Sequence, residues 1–376
     1  MHSTPFSAAE LSMSETSTSA LELFRTAFGE APEVAARAPG RVEVLGNHTD
    51  YNEGFVLSCA IDRDIVVAIS PSTDDSFHFV STHYPEPITA TELQPLREAA
   101  WANYPLGVCA MIRERGIECP PFRVAVHGNI PLGAGLSSSA ALEISTAVGL
   151  RALYGLALGD EDLAMIGQKA ENVFSGAQCG LLDQFSSLFG RRDQLLCTDF
   201  RTLGHSTIPL PRGDIALVLT MSGVTHSLAD CAYNDRRTEC ARAADFFAAQ
   251  NPSVKTLRDV DSATLTQARD QLDRVVYRRA LHIVGEDERV IRGRELLEAG
   301  DLAGFGILLF DSHRSSKDNF ENSCPELDNL VDIAANTESV FGSRLTGGGF
   351  GGATLTLLPE QGRERFMAAV REQYRT

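Results

Sequence analysis

A segment rich in glycine and serine, residues 128–143 with the sequence GNIPLGAGLSSSAALE, strongly limits the folds open to this chain. Gly133 and Gly135 permit backbone conformations that other residues avoid, and without a Cβ they let main-chain N–H groups approach a ligand. The serines that follow lead into an apolar-periodic stretch from Ala140 to Tyr154, which predicts a helix. A helix N-terminus carries about half a positive charge. Loop and helix together therefore predict an anion-binding cradle.

This cradle differs from the Walker A design. That pattern requires Gly-Lys-Ser/Thr at its end, and the loop contains no lysine. The alternative interpretation is an ordinary glycine turn followed by a serine N-cap. The run Pro-Leu-Gly-Ala-Gly-Leu-Ser-Ser-Ser is more specific than such a turn, and it favours a phosphate loop of another kind.

Length and composition limit the remaining possibilities. A chain of 376 residues predicts two domains, and 43% hydrophobic residues are sufficient for a large core. The net charge of −17 opposes nucleic-acid binding. No apolar run is long enough for a membrane span, and the N-terminus does not resemble a secretory signal. The eight cysteines are dispersed, which is typical of reduced thiols in a cytoplasmic protein.

The pattern of elements predicts an α+β protein. Residues 1–19, rich in Ser and Thr, are predicted to be a flexible tail. We place the N-terminal domain at 20–205 and the C-terminal domain at 206–376, because glycines and prolines cluster at 201–213. Predicted helices lie at 20–28, 101–115, 140–154, 161–174 with Asp160 as N-cap, and around 227–250, 275–297 and 325–338. Predicted strands lie at 41–45, 55–61, 64–70, 122–127, 194–199, 215–221 and 353–358.

Three motifs resemble those of one family. The loop resembles the phosphate loop of the GHMP kinase superfamily. Residues 38–57, APGRVEVLGNHTDYNEGFVL, are similar to the galactokinase signature, and residues 345–352, LTGGGFGG, resemble the third GHMP motif. Weaker agreement occurs at 179–185, 226–240 and 323–331. The resemblance implies a two-domain GHMP kinase fold, with the active site in the cleft between the domains.

The resemblance also implies ATP and Mg²⁺ as cofactors. It assigns the magnesium ion to Ser139 and Glu171, a hydroxyl and a carboxylate that suit a hard cation. The alternative for Glu171 is a solvated helix face. The residues that the resemblance assigns to the ATP phosphates are Pro131, Leu132, Gly133, Ala134, Gly135, Leu136, Ser137, Ser138, Ser139 and Ala140.

Asp183, in the segment CGLLDQF, matches the family's catalytic aspartate. A carboxylate can remove a hydroxyl proton when it lies within hydrogen-bond reach. Arg41 matches the arginine beside that aspartate, where a cation stabilises the carboxylate. The alternatives are a turn carboxylate for Asp183 and a surface ion pair for Arg41.

On the sugar side, the resemblance assigns Asp50, Tyr233 and a backbone contact at Gly180, and His48 lies in the same loop as Asp50. The alternative for His48 is a solvated loop histidine. Asn47 stands where galactokinases carry glutamate. The resemblance implies that this glutamate points toward the C6 end of the sugar. A neutral amide holds a C6 hydroxyl less tightly than a carboxylate does, so a sugar altered at C6 becomes a possible substrate. The alternative is that galactose remains the best substrate.

The resemblance therefore implies a galactokinase-type enzyme that phosphorylates the anomeric C1 hydroxyl of galactose or a close relative. Two alternatives stay open. One is a sister kinase for galacturonate, arabinose or N-acetylgalactosamine, and the other is a catalytically silent galactose and ATP sensor. We expect a cytoplasmic monomer or weak oligomer whose partners are ATP and a monosaccharide, without nucleic acid or membrane.

Overall fold

A computed structural model describes residues 5–7, 14–210, 214–224 and 229–374, with the backbone alone at 5–7 and 229–231. The α-helices are α1 (Glu15–Phe28), α2 (Asn103–Glu114), α3 (Ser138–Tyr154), α4 (Asp160–Ala170), α5 (Leu182–Phe189), α6 (Ala229–Gln250), α7 (Ser262–Gln267), α8 (Arg274–Glu298), α9 (Leu302–Ser315), α10 (Pro325–Ala335) and α11 (Arg363–Gln373). The strands are β1 (Pro5–Ser7), β2 (Val34–Leu45), β3 (Phe55–Pro71), β4 (Phe77–Ser81), β5 (Ile88–Ala90), β6 (Phe122–Gly128), β7 (Gln194–Asp199), β8 (Gly204–Pro209), β9 (Ile215–Met221), β10 (Gly342–Thr346) and β11 (Ala353–Pro359). The mixture confirms the predicted α+β class.

The chain divides into two compact units, each built from several segments. The first unit comprises residues 1–41, 60–132 and 137–190, and the second comprises 42–59, 133–136 and 191–376. The long strands β2 and β3 therefore pass from one unit to the other. The boundary predicted at 205/206 lies inside the second unit. There β7 pairs with the first residues of β3, and β8 pairs with β7.

The first unit is organised around a sheet with the order β1-β2-β3-β6-β4-β5. Strand β6 pairs antiparallel with β3 and parallel with β4. Helix α1 covers one face of this sheet, because Ala20, Leu21 and Phe24 pack against alternate residues of the strands, including Val66 and Ala125. This alternation is the period-two burial expected of a strand with one face against a helix.

The second unit contains a separate antiparallel sheet with the order β10-β11-β9. Helices α10 and α11 pack against this sheet through Ala334, Leu358 and Phe366. A second apolar cluster joins α6 to α8 and includes Phe247, Ile283 and Phe320. The first half of α8, residues 276–284, is therefore held by buried side chains.

Three local predictions are wrong. Helix α1 begins at Glu15 rather than at residue 20, because Ser14 caps it by accepting a hydrogen bond from the amide of Ser17 at 3.2 Å. The two strands predicted at 55–61 and 64–70 form the single strand β3. Asp160 is the first residue of α4 and not its N-cap; that position is Gly159.

Among the described residues, no helix combines the length and the apolar character needed to cross a bilayer. The start of the helix predicted around 227–250 lies partly outside the described residues.

Candidate active site

The predicted phosphate loop joins β6 to α3. Its glycines adopt the left-handed conformation, with φ of 69° at both Gly133 and Gly135. Ser137 also has a positive φ, 56°, although it carries a side chain. Ser138 then opens α3, which runs to Tyr154 and confirms the predicted helix. The chain thus turns sharply into a long helix, whose first amides are available to an anion.

The third predicted motif lies beside this loop within the second unit. A Cβ added at Gly352 would lie 3.2 Å from the carbonyl oxygen of Ala134. The atoms nearest to a Cβ on Gly135 would be the carbonyl oxygen of Thr346 at 3.7 Å and the Cα of Gly352 at 4.0 Å. Two glycine-rich segments, distant in sequence, therefore approach each other backbone to backbone.

In the first unit, Arg41 and Asp183 form a close ion pair. The Nη2 and Nε atoms of Arg41 lie 2.6 and 2.7 Å from the same oxygen of Asp183, Oδ1. The other oxygen, Oδ2, accepts a hydrogen bond from the hydroxyl of Ser137. Since Ser137 directly precedes α3, the predicted catalytic pair is joined by a hydrogen bond to the end of the phosphate loop.

Local structure explains how these side chains are held. Asp183 lies in the first turn of α5, whose apolar residues Leu182, Phe185 and Leu188 are buried. Arg41 belongs to β2 and is 5% exposed, whereas the Asp183 side chain is 21% exposed. A buried guanidinium thus orients a carboxylate that solvent, or a substrate, can still reach.

Next to this pair lies a group of buried oxygens. Gln184 donates its side-chain amide to Glu143 at 2.8 Å and to Glu171 at 3.1 Å. Glu171 also accepts hydrogen bonds from Ser139 and Cys179. Burial, and after it the charge of Asp183, raises the pKa of the Glu171 carboxyl. Burial and the neighbouring Glu171 raise the pKa of Glu143 well above its usual value.

This arrangement bears on the predicted magnesium site. Ser139 and Glu171, the two predicted ligands, are hydrogen-bonded to each other in the first unit. Within the described residues, Oε1 of Glu143 is buried without a hydrogen-bond partner, and no group of three or more His, Cys, Asp or Glu residues is placed to hold a metal. Hard oxygen ligands supplied by one carboxylate and a hydroxyl fit Mg²⁺, which retains waters and binds substrate phosphates.

The β2–β3 loop, residues 46–54, belongs to the second unit and carries most of the predicted sugar contacts. The Thr49 hydroxyl links the two ends of the loop, because it lies within hydrogen-bond distance of the carbonyl oxygens of Gly46, at 2.8 Å, and of Phe55, at 2.6 Å. Gly46 has a φ of 98°, and a Cβ there would lie 2.4 Å from the Phe55 oxygen. Glycine is therefore required where the two ends of the loop meet.

His48 is buried rather than solvated, so the alternative interpretation is wrong for this residue. Its Nε2 donates to the carbonyl oxygen of Gly348 at 3.1 Å, which leaves Nδ1 to accept from the Tyr51 hydroxyl at 2.8 Å. Its ring also packs against Tyr233 and Phe320, with centroid distances of 4.8 and 4.6 Å. Burial lowers the pKa of His48 to about 4, so the ring is neutral at physiological pH.

Asn47 is fully buried, and protein groups surround its side-chain amide. Its Nδ2 donates to Glu43 at 3.0 Å and to the carbonyl of Gly347 at 2.8 Å, and its Oδ1 accepts from Asn322 at 2.9 Å. Both amide hydrogens are therefore used inside the second unit. A direct hydrogen bond from this amide to a sugar hydroxyl stays a prediction, and it requires one of these bonds to open.

The remaining predicted sugar residues fall into both units. Asp50 begins a short helical turn, Asp50–Asn52, and is partly exposed. Tyr233 lies on α6 beside His48, with its ring next to Gly348. Gly180 is buried just before α5 in the first unit. Asp50, Tyr233 and His48 thus belong to the second unit, whereas Gly180 accompanies Asp183.

The sequence reasoning missed two groups of buried polar residues. The first group lies around Glu171 and consists of Glu143 and Gln184. The second group lies beneath the β2–β3 loop and consists of Glu43, His282 and Glu286. Their one sequence signal is a charged or polar residue inside an apolar stretch. Glu143, for example, follows Ala140, Ala141 and Leu142 at the start of α3.

Comparisons with known proteins agree with this geometry. Residues 22–71 match the family model described as the galactokinase galactose-binding signature, 103–191 the GHMP kinases N terminal domain, and 294–376 the GHMP kinases C terminal. A galactokinase from Roseiflexus sp. (strain RS-1) is 39% identical over 354 residues, which cover 94% of this chain and 90% of that protein.

Solved structures show the same relationship. Lactococcus lactis galactokinase, crystallised with galactose, superposes with a TM-score of 0.89 at 31% identity, covering 94% of this chain and 93% of that one. The Methanococcus jannaschii mevalonate kinase shares the fold, with a TM-score of 0.60 at 18% identity over 90% of this chain and 95% of that one. Fold and motifs together define a kinase of the GHMP superfamily. Within it, the chain belongs to the galactokinase family and is a sugar kinase.

Proposed function

We propose that this protein transfers the γ-phosphoryl group of ATP to the anomeric C1 hydroxyl of galactose, giving the sugar 1-phosphate and ADP. Asp183 removes the proton of the attacking hydroxyl, and Arg41 holds the carboxylate in place and offsets negative charge on the transferred group. Galactose is proposed because the Roseiflexus relative is a galactokinase and the Lactococcus galactokinase was crystallised with galactose.

The observation that carries the proposal is the hydrogen bond between Ser137 and Asp183. Ser137 ends the phosphate loop, so the candidate base lies at the N-terminus of α3, where an anion is most stabilised. Arg41 occupies Oδ1 with two N–H groups. Oδ2 is bonded to a rotatable hydroxyl, which can turn away when a sugar hydroxyl takes its place.

ATP is the phosphoryl donor expected of this superfamily. We assign its phosphates to the loop from Pro131 to Ala140, where the left-handed residues Gly133, Gly135 and Ser137 shape the backbone. Mg²⁺ would be held by Ser139 and Glu171, and when bound it neutralises charge on the β- and γ-phosphates. Phosphoryl transfer requires mainly positioning and charge stabilisation, and these are the roles we assign to the loop, to Arg41 and to the magnesium ligands.

The sugar is assigned to Asp50, Tyr233 and the backbone at Gly180. An ionised Asp50 accepts hydrogen bonds from two hydroxyls, which suits a vicinal diol. His48 has both ring nitrogens engaged within the second unit, so we assign it the shaping of the β2–β3 loop and the packing of Tyr233. Asn47 supports the same loop through its buried amide.

An ADP-release assay over a panel of monosaccharides tests this function. We expect ATP-dependent turnover with galactose, and weaker turnover with galacturonate, arabinose and N-acetylgalactosamine. The control omits the sugar. Turnover that is fastest with another sugar of the panel would contradict galactose as the substrate. Binding of galactose and ATP without ADP release would instead indicate a silent sensor.

Asn47→Glu tests the role of the residue that departs from the family. Because Asn47 is unexposed and lies 3.0 Å from the Glu43 carboxylate, a glutamate there would bury a second negative charge. Uncompensated buried charges cost about 3–5 kcal/mol. We therefore expect a large loss of thermal stability and no gain in kcat/KM for galactose.

The double variant Glu43→Gln/Asn47→Glu restores a single carboxylate to this group and should recover much of the stability. Arg344 lies 2.8 Å from Glu43 and is placed to pair with the relocated charge. If Asn47→Glu alone is stable and prefers galactose more strongly, then Asn47 faces the sugar directly and the buried arrangement does not govern its role.

A further inference from the structure

Helix α8 contacts both ends of the β2–β3 loop through side chains far away in the sequence. Glu286 accepts the main-chain N–H of Gly46 at 3.0 Å and that of Asn47 at 2.9 Å, both on Oε2. The next residue of α8, Asp287, accepts the N–H of Phe55 at 2.8 Å, just past the other end of the loop. Two adjacent carboxylates of one helix thus hold the points where the chain enters and leaves the loop.

A third side chain of α8 completes the set. His282, one helical turn before Glu286, donates Nε2–H to the carbonyl oxygen of Asn47 at 3.2 Å and accepts from the Ser315 hydroxyl through Nδ1 at 3.0 Å. Burial lowers the pKa of His282 to about 3, so the ring is neutral and can play both roles. Four main-chain groups in or next to the loop therefore find their partners on α8.

These contacts are tight and shielded from water. His282 and Glu286 are unexposed, and Asp287 is 7% exposed. A Cβ on Gly54 would lie 2.4 Å from Oδ1 of Asp287, so the loop backbone lies directly against this carboxylate. Burial alone would raise the pKa of Glu286, but the charges of Arg289 and Arg344, together with the amide of Asn47, outweigh it and hold that pKa below its usual range.

We infer that His282, Glu286 and Asp287 are positioning residues that fix the β2–β3 loop for sugar binding. This inference rests on the proposed function, because it takes the loop that carries Asp50 as the sugar-binding loop. A buried loop whose amides lose their acceptors must shift or admit water. A displacement of about 1 Å at a binding group is sufficient to reduce activity by about 10²-fold.

Glu286→Gln is the most informative change. One Glu286 oxygen accepts from the loop, and the other accepts from Arg289 Nε at 2.6 Å. A glutamine has one acceptor oxygen and one NH₂ group, so it must face either the loop amides or Arg289 with a donor. Glu295→Gln is the matched control, because it is the same substitution at an exposed position of α8.

The experiment measures two quantities on the full-length protein. Amide hydrogen exchange of the segment 46–55 is recorded without ligand, and galactose and ADP affinities are measured separately by calorimetry. For Glu286→Gln we expect exchange about tenfold faster and galactose binding about tenfold weaker, with ADP affinity within about twofold of the wild type. Glu295→Gln should match the wild type in all three.

Unchanged amide hydrogen exchange in the segment 46–55, or equal losses of galactose and ADP affinity, would overturn the inference. If the wild type binds no galactose, the proposed function fails, while the exchange rates still decide whether α8 fixes the loop.

Should Glu286→Gln fail to fold, His282→Phe serves instead. Its ring can keep the stacking on Phe320, whose centroid lies 4.4 Å away, but it loses the donor to Asn47. Faster loop exchange with weaker galactose binding is again expected, and wild-type values would refute the role.

Discussion

Replacing Asp183 with asparagine is expected to lower kcat by about 10²–10⁴-fold, the range that a positioned general base supplies. Nucleotide and sugar affinities should change little, because asparagine keeps the size of the side chain and still offers an oxygen to Arg41. The amide cannot accept the proton of the attacking hydroxyl, however. The measurement is steady-state kinetics, together with separate binding titrations for ATP and galactose.

Asp162→Asn is the matched control for this change. Asp162 also pairs with an arginine, Arg115, at 2.6 Å and also lies in the first turn of a helix, but this pair is on the surface. Surface pairs contribute little, so kcat should stay at the wild-type value. Near-normal turnover in Asp183→Asn would show that Asp183 is not the base.

The second large effect is expected from Gly135→Val, which should abolish ATP binding. Gly135 has a φ of 69°, a region that a β-branched residue rarely adopts, and such strain costs about 1–3 kcal/mol. The added side chain would also stand where, in the proposed function, main-chain amides approach the phosphates. We expect a loss of at least about 10²-fold in ATP affinity, with galactose binding retained in the absence of nucleotide.

Gly155→Val separates backbone strain from loss of the phosphate loop. Gly155 caps the opposite end of α3 with a φ of 62°, and a Cβ there would meet nothing within 4 Å. Both variants carry the same kind of strain, so both should lose some stability. ATP affinity should fall in Gly135→Val alone. Wild-type ATP affinity in Gly135→Val would mean that this loop does not hold the phosphates.

Periodicity and turn residues predicted the elements with strong local signals. Helix α3 and the strands β7, β9 and β11 lie where the sequence places them, with ends displaced by at most a few residues. Short elements escaped prediction: α5 has eight residues and β10 five, and their stability depends on packing against distant segments. The division into two units built from several segments could not be predicted either, because β2 and β3 are continuous strands and each contributes residues to both units.

The site residues also divide into those that sequence motifs predict and those that depend on long-range packing. Arg41 and Asp183 follow from motifs whose spacing is recognisable, and the structure places them in contact. The buried partners of the β2–β3 loop could not be predicted from sequence patterns. Glu286, for example, is far from Gly46 in the sequence and contacts it only in the folded chain. Asn47 shows the limit most clearly. Its chemistry suggested a contact to a sugar hydroxyl, whereas its surroundings are protein groups.

The position of the phosphate in the product shows whether the protein transfers the phosphoryl group of ATP to the C1 hydroxyl of galactose. The protein is incubated with galactose, ATP and Mg²⁺, and the product is examined by ³¹P NMR for coupling to the sugar protons. We expect one phosphate whose phosphorus couples to the anomeric proton. A phosphate coupled to the C6 protons, or ADP released without any sugar phosphate, would contradict it.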